Sequence, residues 1–229
     1  REKDFAPLLH QDTSHKVDLR AAISPPRWTR MVVQRNIPKQ LHSLDALASN
    51  LWWSWQPDAE ELFASIDPKA WESCEGNPMM LLDSISYARL EALSNDQDFL
   101  SRLHTIYKRF QNYMAQAKKA KAPAIGYFSM EFGLHASLKL YSGGLGVLAG
   151  DYLKEASDQN LNLVGVGLLY RYGYFTQQLS RAGQQIAYYN HQNFTQTPVF
   201  PVRDDKGNWI TVEVAFPGRR VQVRLWKVW

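Results

Sequence analysis

The feature that most constrains the fold of this chain is a change in hydrophobic periodicity near residue 123. Up to that point, apolar residues recur at the three- and four-residue spacing of amphipathic helices. Beyond it come a short strand candidate (125–128), a stretch with helical spacing (145–156) and an apolar, valine-bearing stretch (161–169). This order of strand, loop, helix and strand predicts a parallel α/β unit in which the second strand is buried.

The chain is therefore predicted to have three parts. Residues 1–27 lack clean periodicity, end in two prolines and are predicted to be an extension or linker. Residues 28–120 are predicted to form a helical amino-terminal region, with helical spacing over 38–55 and a long amphipathic helix over 99–118. Residues 121–229 form the α/β region. The sequence contains no internal repeat and no low-complexity segment.

Two helix starts are predicted from capping residues. Asp58 with Glu61 resembles a capping pair for a short helix that runs through Ile66. Asn77 resembles an N-cap, and Pro78 after it suits the first turn of a helix. Both signals support a first half built from several short helices.

Two alternating stretches near the end of the chain predict a β-hairpin. Residues 210–216 and 221–225 each alternate apolar and other side chains, and Pro217-Gly218 forms the turn between them. An earlier turn at 204–208 is a candidate for adding a third strand.

Composition excludes several classes of function. The hydrophobic fraction of 45% with 13% aromatic residues is typical of a folded protein. The net charge of +4, from scattered basic residues, is too small to indicate a nucleic-acid partner. The longest apolar run (163–170) is far shorter than the ~20 residues of a membrane helix, and no secretion signal is visible. A single cysteine, Cys74, indicates a reducing compartment and hence a cytoplasmic location.

The strongest candidate site is the glycine-rich loop Tyr141-Ser142-Gly143-Gly144-Leu145-Gly146, at the point where a loop becomes a helix. Glycine lets the backbone approach a ligand closely and adopt positive φ without strain. The free N–H groups of the first helical turn then point at an anion, and the helix dipole favours negative charge there. The loop is predicted to hold a phosphate or sugar phosphate. For a glycine cluster by itself, a tight packing turn is an equal alternative.

Two sharper interpretations of this loop do not fit. Residues 144–149 match the dinucleotide pattern G-x-G-x-x-A, but that pattern should follow its strand immediately, and here residues 129–142 intervene. A Walker loop is excluded because no Gly-Lys-Ser or Gly-Lys-Thr follows.

Several aromatic and histidine residues are further candidates for ligand binding. Trp52, Trp53 and Trp55 could stack against sugars, but at helical spacing among leucines such residues are more typical of a core. The histidines show no paired metal-ligand spacing, so no metal site is predicted.

The motifs taken together are more specific than the loop alone. They closely resemble the amino-terminal domain of the α-glucan (glycogen, starch and maltodextrin) phosphorylases. The resemblance is carried by three stretches: Gly126–His135, Gly143–Lys154 and Gly165–Gln177. Upstream, Asn50–Trp55 and Asn77-Pro78 resemble the helical preface of short, divergent prokaryotic members. The resemblance runs from about Trp28 to Trp229.

The resemblance implies a glycosyltransferase of the two-domain GT-B fold, with two Rossmann-like domains facing each other across the active site. The expected fold class is therefore α/β: a helical preface, then the start of the first Rossmann-like domain, with an antiparallel β-hairpin insertion near the end. Family members release glucose 1-phosphate from the ends of α-1,4-glucans with inorganic phosphate and retain the configuration. They hold pyridoxal 5'-phosphate on a lysine of the second domain, and its phosphate group takes part in proton transfer.

The chain is expected to be the amino-terminal fragment of such an enzyme. It opens at Arg1 in place of methionine, and its alternating pattern runs on to Trp229. No catalytic residue and no cofactor lysine is expected in it, so the fragment alone should be inactive. The implied partners are α-1,4-glucan, phosphate and the missing carboxy-terminal domain, and a homo-oligomer is compatible with the family. The regulatory features of animal members are not recognisable.

Site residues carry over only where motif positions match. The family's glycine loop contacts the phosphate and the glucosyl unit through backbone N–H groups, and its counterparts here are Gly143, Gly144, Leu145 and Gly146. Glu131 matches the glutamate of the Ser-x-Glu-Phe motif, as structural support or indirect ligand contact. His135, nearest the motif, is expected to support the site by hydrogen-bonding a loop carbonyl.

The chain departs from the family pattern at two neighbouring positions. Gly133 stands where animal and plant enzymes carry an aromatic residue that touches the cofactor, so that contact does not carry over. Ser142 replaces an asparagine.

Two alternatives come from other functional classes. A glycogen or starch synthase shares the fold, but its signature places a lysine two residues before the paired glycines, where this chain has Tyr141. A non-catalytic glucan-binding or assembly module would leave the phosphate loop unexplained.

Overall fold

The structure, a computed structural model, describes residues 35–117 and 124–229, so the predicted extension over 1–27 lies outside the described residues. Residues 35–117 are built from helices. These are a 3-10 helix Lys39–Leu41, α1 His42–Ala48, a 3-10 helix Leu51–Trp55, α2 Pro57–Ile66, α3 Pro68–Ser73, α4 Pro78–Ser84, α5 Tyr87–Ser94 and α6 Gln97–Ala117. The predicted long amphipathic helix is confirmed as α6. The predicted stretch over 38–55 is interrupted, because the Asn50 side chain accepts the Trp52 N–H at 2.9 Å and starts a new helical turn.

Apolar side chains of these helices form a buried core. Trp53 is 1% exposed and meets Phe63 edge to face at 5.9 Å, and Trp52 packs against Phe110 at 5.5 Å. The prediction that the tryptophans are core residues is confirmed for these two, and Trp55 is half-buried. Other buried members are Leu41, Leu44, Leu47, Leu62, Ile66, Leu81, Leu82, Leu90, Leu103 and Ile106. Since each such side chain contributes about 1.5–3 kcal/mol when fully buried, this core dominates the stability of the described residues.

The predicted N-cap at Asn77 is confirmed. Its side-chain oxygen accepts the N–H groups of Met79 at 3.0 Å and Met80 at 3.2 Å, and Pro78 occupies the first turn of α4. These N–H groups have no acceptor within the helix, so the Asn77 side chain supplies the hydrogen bonds that they would otherwise lack.

The predicted capping pair at Asp58 and Glu61 is wrong, although α2 does end at Ile66. The helix begins after Gln56, whose side chain makes no capping bond. The Asp58 carboxylate instead pairs with the Arg109 guanidinium of α6 at 2.6 and 3.0 Å. The Asp58 carboxylate thus binds a side chain of a distant helix and not the backbone N–H groups at the start of α2.

A parallel α/β unit follows, as predicted. It consists of β1 (Ile125–Phe128), α7 (Gly144–Asp158) and β2 (Leu163–Val166), with β1 and β2 paired in parallel. Leu153 of α7 lies against Gly165 of β2. The expected burial of β2 is wrong in the described chain, because Val164 is 60% exposed and Phe128 on the neighbouring strand is 75% exposed. A sheet of two strands leaves such side chains without neighbours on one face.

The remaining strands form antiparallel pairs. They are β3 (Thr176–Leu179) with β4 (Gln185–Tyr188), β5 (Val199–Pro201) with β8 (Trp226–Val228), and β6 (Thr211–Phe216) with β7 (Arg219–Arg224). The predicted hairpin is confirmed as β6 and β7. The turn at 204–208 does not add a third strand to it, because β5 before that turn pairs with β8. Every sheet of the described residues has two strands, so a complete Rossmann-like sheet is not among them.

Hydrogen bonds join the helical region to the α/β region. The Asn77 Nδ2 group donates to the Gln196 carbonyl at 2.9 Å. The Tyr113 hydroxyl of α6 lies 2.6 Å from Ser157 Oγ and 2.8 Å from Asp158 Oδ1, at the carboxyl end of α7. Burial, together with the Asp158 carboxylate, raises the pKa of Tyr113 to about 12. The tyrosine therefore stays a neutral hydrogen-bonding group at this joint.

His135 also joins the two regions. It lies in the loop between β1 and α7, and its ring packs edge to face on Trp53 at 4.7 Å. Its Nδ1 atom accepts the Ser137 backbone N–H at 3.1 Å, which requires an unprotonated Nδ1. Burial, and next the positive charge of Lys154, lower the pKa of His135. The fold thus favours the neutral imidazole.

Replacing Asn77 with alanine should destabilise the chain more than loss of a helix cap alone. The change removes the cap and leaves the Gln196 carbonyl without its donor, so we expect a loss of about 2–4 kcal/mol in the free energy of unfolding. Urea unfolding measures it. Ser86→Ala is the matched control, because Ser86 caps α5 through the Arg89 N–H and is exposed. It should cost about 1 kcal/mol. Equal losses in the two variants would contradict a role for the bond to Gln196.

The free energy of unfolding should fall on acidification because His135 becomes protonated. The pKa of His135 is lowered in the folded chain. Its contribution to the free energy of unfolding is therefore complete above the pKa of histidine in the unfolded chain, about 6.5, and is lost as the pH falls below that value. His135→Asn keeps an acceptor for the Ser137 N–H but cannot titrate. We expect the drop in urea midpoint between pH 7.5 and 5 to be smaller in this variant. His104→Asn, on the exposed face of α6, is the control and should follow the parent chain. An equal drop in the parent chain, His135→Asn and His104→Asn would contradict the assignment of the pH dependence to His135.

Candidate functional site

The glycine-rich loop lies where the sequence places it, at the amino end of α7. Gly143 is the N-cap, Gly144 is the first helical residue, and Ser142 to Leu145 are exposed. The backbone of Gly143 is extended, with φ of −157°, and no glycine of the loop has positive φ. The expectation that these glycines serve a left-handed backbone is therefore wrong.

The glycines of the loop have different environments. A methyl group at Gly146 would lie 2.4 Å from the Tyr141 Cβ atom, so this position is glycine because of packing. At Gly143 and Gly144, an added methyl group would meet no atom within 4 Å. The packing reason for glycine therefore applies at Gly146, and the phosphate-binding role of Gly143 and Gly144 stays a prediction. Nothing within the described chain requires glycine at 143 or 144 for space.

The segment after β1 packs directly on α7 through backbone atoms. The Gly133 N–H donates to the Gly146 carbonyl at 2.7 Å. A methyl group at Gly150 would lie 2.1 Å from the Gly133 carbonyl oxygen. At Gly133 itself, an added methyl group would lie 3.2 Å from Tyr141 Cγ, so the Tyr141 ring occupies the space beside it. A large side chain at 133 does not fit this arrangement.

Glu131 lies at the loop itself. The Ser142 hydroxyl donates to its Oε1 atom at 2.7 Å. This bond, followed by the backbone N–H groups of Ser142, Gly143 and Gly146, lowers the pKa of Glu131. The carboxylate is therefore ionised near neutral pH and already occupies part of the donor set at the amino end of α7. Its role as support for the loop is the one that this geometry favours.

His135 is not part of the same cluster. Its ring contacts are with Trp53, and its Nδ1 atom meets the hydroxyl and the N–H of Ser137. The expected bond to a loop carbonyl is wrong in the described residues, because the hydrogen bonds of the ring are those between Nδ1 and Ser137. Its position supports the chain between β1 and the glycine loop from the side of the helical core.

Sequence patterns did not reveal the pairing of Ser142 with Glu131. The two residues are eleven positions apart, and no regular element has that spacing. The signals that existed were a hydroxyl residue before paired glycines and a carboxylate shortly after a strand. Only the return of the chain onto α7 brings them together.

A cavity of about 250 Å³ lies between the α3–α4 turn and the 3-10 helix Phe194–Gln196. Amide side chains dominate its polar lining, but they bond within the chain. Gln192 donates to the carbonyls of Lys139 and Tyr170 at 3.0 and 2.7 Å, and Asn77 bonds to Gln196. This cleft is a polar joint between the two regions.

Among residues 35–117 and 124–229, no group of three or more His, Cys, Asp and Glu side chains could hold a metal ion. No helix in these residues has the length and apolar character needed to cross a membrane.

The chain is similar to known proteins over most of its length. Residues 37–138 match a family described as protein of unknown function (DUF3417). Glycogen phosphorylase of Mycobacterium tuberculosis is 39% identical over 210 residues, covering 86% of this chain and 24% of that protein. Maltodextrin phosphorylase of Thermococcus litoralis is 37% identical over 204 residues, covering 86% and 24%. Glycogen phosphorylase of Aquifex aeolicus is 39% identical over 186 residues, covering 80% and 26%. No solved structure matches the chain significantly.

These similarities agree with the motifs around the glycine loop and with the helical region before them. The chain spans about a quarter of the length of the curated relatives that it matches. The resemblance found from the motifs is thereby confirmed: this chain belongs to the α-glucan phosphorylase family and corresponds to an amino-terminal part of its members.

Proposed function

We propose that this chain is the amino-terminal part of an α-glucan phosphorylase, which uses inorganic phosphate to release glucose 1-phosphate from the ends of α-1,4-glucans with retention of configuration. Its relatives are named glycogen and maltodextrin phosphorylases. The single structural observation that supports it is the open space at Gly143 and Gly144, at the exposed amino end of a fifteen-residue helix.

The proposed contribution of this chain is to bind and orient the reacting groups. Gly144 and Leu145 are the first two residues of α7, so their N–H groups have no acceptor within the helix. The absence of side chains at 143 and 144 lets a phosphate or a glucosyl unit come within hydrogen-bonding distance of these N–H groups. Fixed donors of this kind stabilise charge that develops during the reaction.

The rest of the machinery belongs to the part of the parent outside this chain. There we place the catalytic residues and the lysine that carries pyridoxal 5'-phosphate, whose phosphate group supplies proton transfer to the substrate phosphate when bound. The local packing at Gly133, under the Tyr141 ring, leaves no room for an aromatic contact to that cofactor from position 133. Any contact from this chain therefore comes from other positions.

Exposed apolar side chains support a missing partner domain. Leu148 of α7 is 68% exposed, and Phe128, Val164 and Leu168 around β1 and β2 are also exposed. Large apolar side chains that cluster on a protein surface normally mark a surface that a partner covers. We propose that the remaining part of the parent covers it, since the relatives are about four times as long as the matched segment.

The alternatives gain no support. Tyr141 packs over Gly133 and Gly146, so the position that carries a lysine in the synthases provides no cation here. None of the named relatives favours a synthase or a non-catalytic module.

The complete parent should produce glucose 1-phosphate from a maltooligosaccharide and phosphate, and should not extend the chain from ADP-glucose or UDP-glucose. The physical reason is that a phenol at position 141 cannot supply the fixed cation that a nucleotide diphosphate needs. Following chain length and released product with each donor tests this. The same assay on residues 1–229 alone should give no product, because one wall of the active site is missing. Extension from a nucleotide sugar without phosphate-dependent shortening would make the synthase assignment correct.

Replacing Gly144 and Gly146 in the parent should separate binding from packing. Gly144→Val adds a side chain in open space, so the fold should persist while turnover falls by ~10²–10³ or more through loss of the loop donors. Gly146→Ala places a methyl group 2.4 Å from Tyr141 and should lower the thermal unfolding temperature instead. Turnover and thermal unfolding of both variants are measured side by side. Near-normal turnover of Gly144→Val would reduce the loop to a packing turn.

A further inference from the structure

We infer that Glu131 is a positioning residue: its carboxylate holds the loop 141–146 so that the N–H groups of Gly144 and Leu145 remain free and face outward. The inference rests on the proposed function for the identity of the ligand that those groups bind. The hydrogen-bond donors of this short loop then have different roles. The Ser142 hydroxyl binds the Glu131 carboxylate, and the N–H groups of Gly144 and Leu145 are left for substrate.

The geometry of Glu131 supports this role. Its Oε1 atom accepts the Ser142 hydroxyl at 2.7 Å, and its Oε2 atom lies 3.0 Å from the position of a methyl group at Gly146. The carboxylate therefore bonds to Ser142 and lies beside Gly146, at the two ends of the tight turn that begins α7. Gly143, Gly144 and Leu145 lie between these two points, and all three are exposed.

The backbone around Glu131 is itself fixed. The Ser129 hydroxyl donates to the Glu131 carbonyl at 2.8 Å. On the other side, the Phe132 N–H donates to the Leu140 carbonyl at 3.2 Å and the Gly133 N–H to Gly146 at 2.7 Å. A carboxylate on such a rigid segment can hold a neighbouring loop in place, whereas one on a mobile segment would move with it.

Two general arguments give the loop a need for this partner. Paired glycines have the largest backbone freedom of any residues, so an unrestrained Gly143-Gly144 would occupy many conformations. A negative charge at the amino end of a helix is favourable, because the helix dipole and the unpaired N–H groups both attract it. Glu131 supplies that charge at a point where it does not cover the open side of Gly143 and Gly144. Ligand binding then finds the donors already oriented.

A direct ligand contact is the competing role for Glu131, and the two roles predict different behaviour of the empty loop. A positioning residue restrains the loop when no ligand is present. A contact residue affects only the bound state. Measurements on the 229-residue chain without substrate therefore separate them.

The experiment is amide hydrogen exchange on the 229-residue chain and its variants. We expect the amides of Ser142 and Gly143, next to the bond between Ser142 and Glu131, to exchange more slowly than those of Gly144 and Leu145. The Gly146 N–H donates to the Gly143 carbonyl at 3.1 Å and serves as an internal reference. Glu131→Ala should accelerate exchange of the Ser142 and Gly143 amides about tenfold or more, and added formate should restore part of their protection by taking the place of the carboxylate. Ser142→Ala, which removes only the hydroxyl donor, should have a smaller effect. It also tests the inference if Glu131→Ala fails to fold.

The matched control is Glu155→Ala. Glu155 is a glutamate of α7 itself, but it is exposed and accepts a bond from Gln159, the residue that follows the helix. Loop protection should be unchanged in this variant. Unchanged protection in both Glu131→Ala and Ser142→Ala would overturn the inference.

Activity of the complete parent provides the second measurement. Glu131→Ala should lower kcat/KM for phosphorolysis at least tenfold, with partial recovery in formate, while Glu155→Ala stays near the parent value. If loop protection depends on Glu131 but the parent makes no glucose 1-phosphate, the proposed function fails and the positioning role stands. If the parent is a phosphorylase and the loop is equally protected without Glu131, the positioning role fails alone.

Discussion

The contact on which the candidate site depends is that between α7 and the segment after β1, where backbone meets backbone. Gly133 donates to the Gly146 carbonyl at 2.7 Å, and its own carbonyl lies where a side chain at Gly150 would be. A larger residue at 146 or 150 would push the helix away and carry its amino end with it. The glycines that face this contact therefore determine where the loop is, and Gly143 and Gly144 determine what can reach it.

The helical region adds a second constraint, at the other end of the same helix. Tyr113 of α6 lies 2.8 Å from Asp158, and the Trp55 indole N–H donates to the same carboxylate at 3.1 Å. Glu131 acts at the amino end of α7 and these aromatic groups act at the carboxyl end. Because a packed helix moves as a unit, holding both ends fixes the direction in which its first N–H groups point. The core around Trp53 is thus connected to the candidate site although it lies outside it.

Sequence reasoning succeeded where the determining interaction is local or periodic. Helical spacing located α6, Asn77-Pro78 located the start of α4, and alternation located the hairpin of β6 and β7. It failed where the role of a residue is set by a partner that is distant in sequence. Asp58 looks like a cap, yet it binds Arg109, which is 51 positions away. Likewise, positive φ was a sound general reason for glycine, but at Gly146 close packing is the actual reason.

The unequal distribution of buried side chains has a consequence for how the chain forms during synthesis. The large core lies in residues 37–106, where many contacts join helices near one another in sequence. Contacts of this kind form quickly, and the amino-terminal part of a chain leaves the ribosome first. The helical region can therefore fold before β1 and β2 are translated. The folded helical region then presents the residues that contact the α/β unit, namely Asn77, Tyr113 and Trp53. The α/β unit, which is less buried, packs against them once it has been translated.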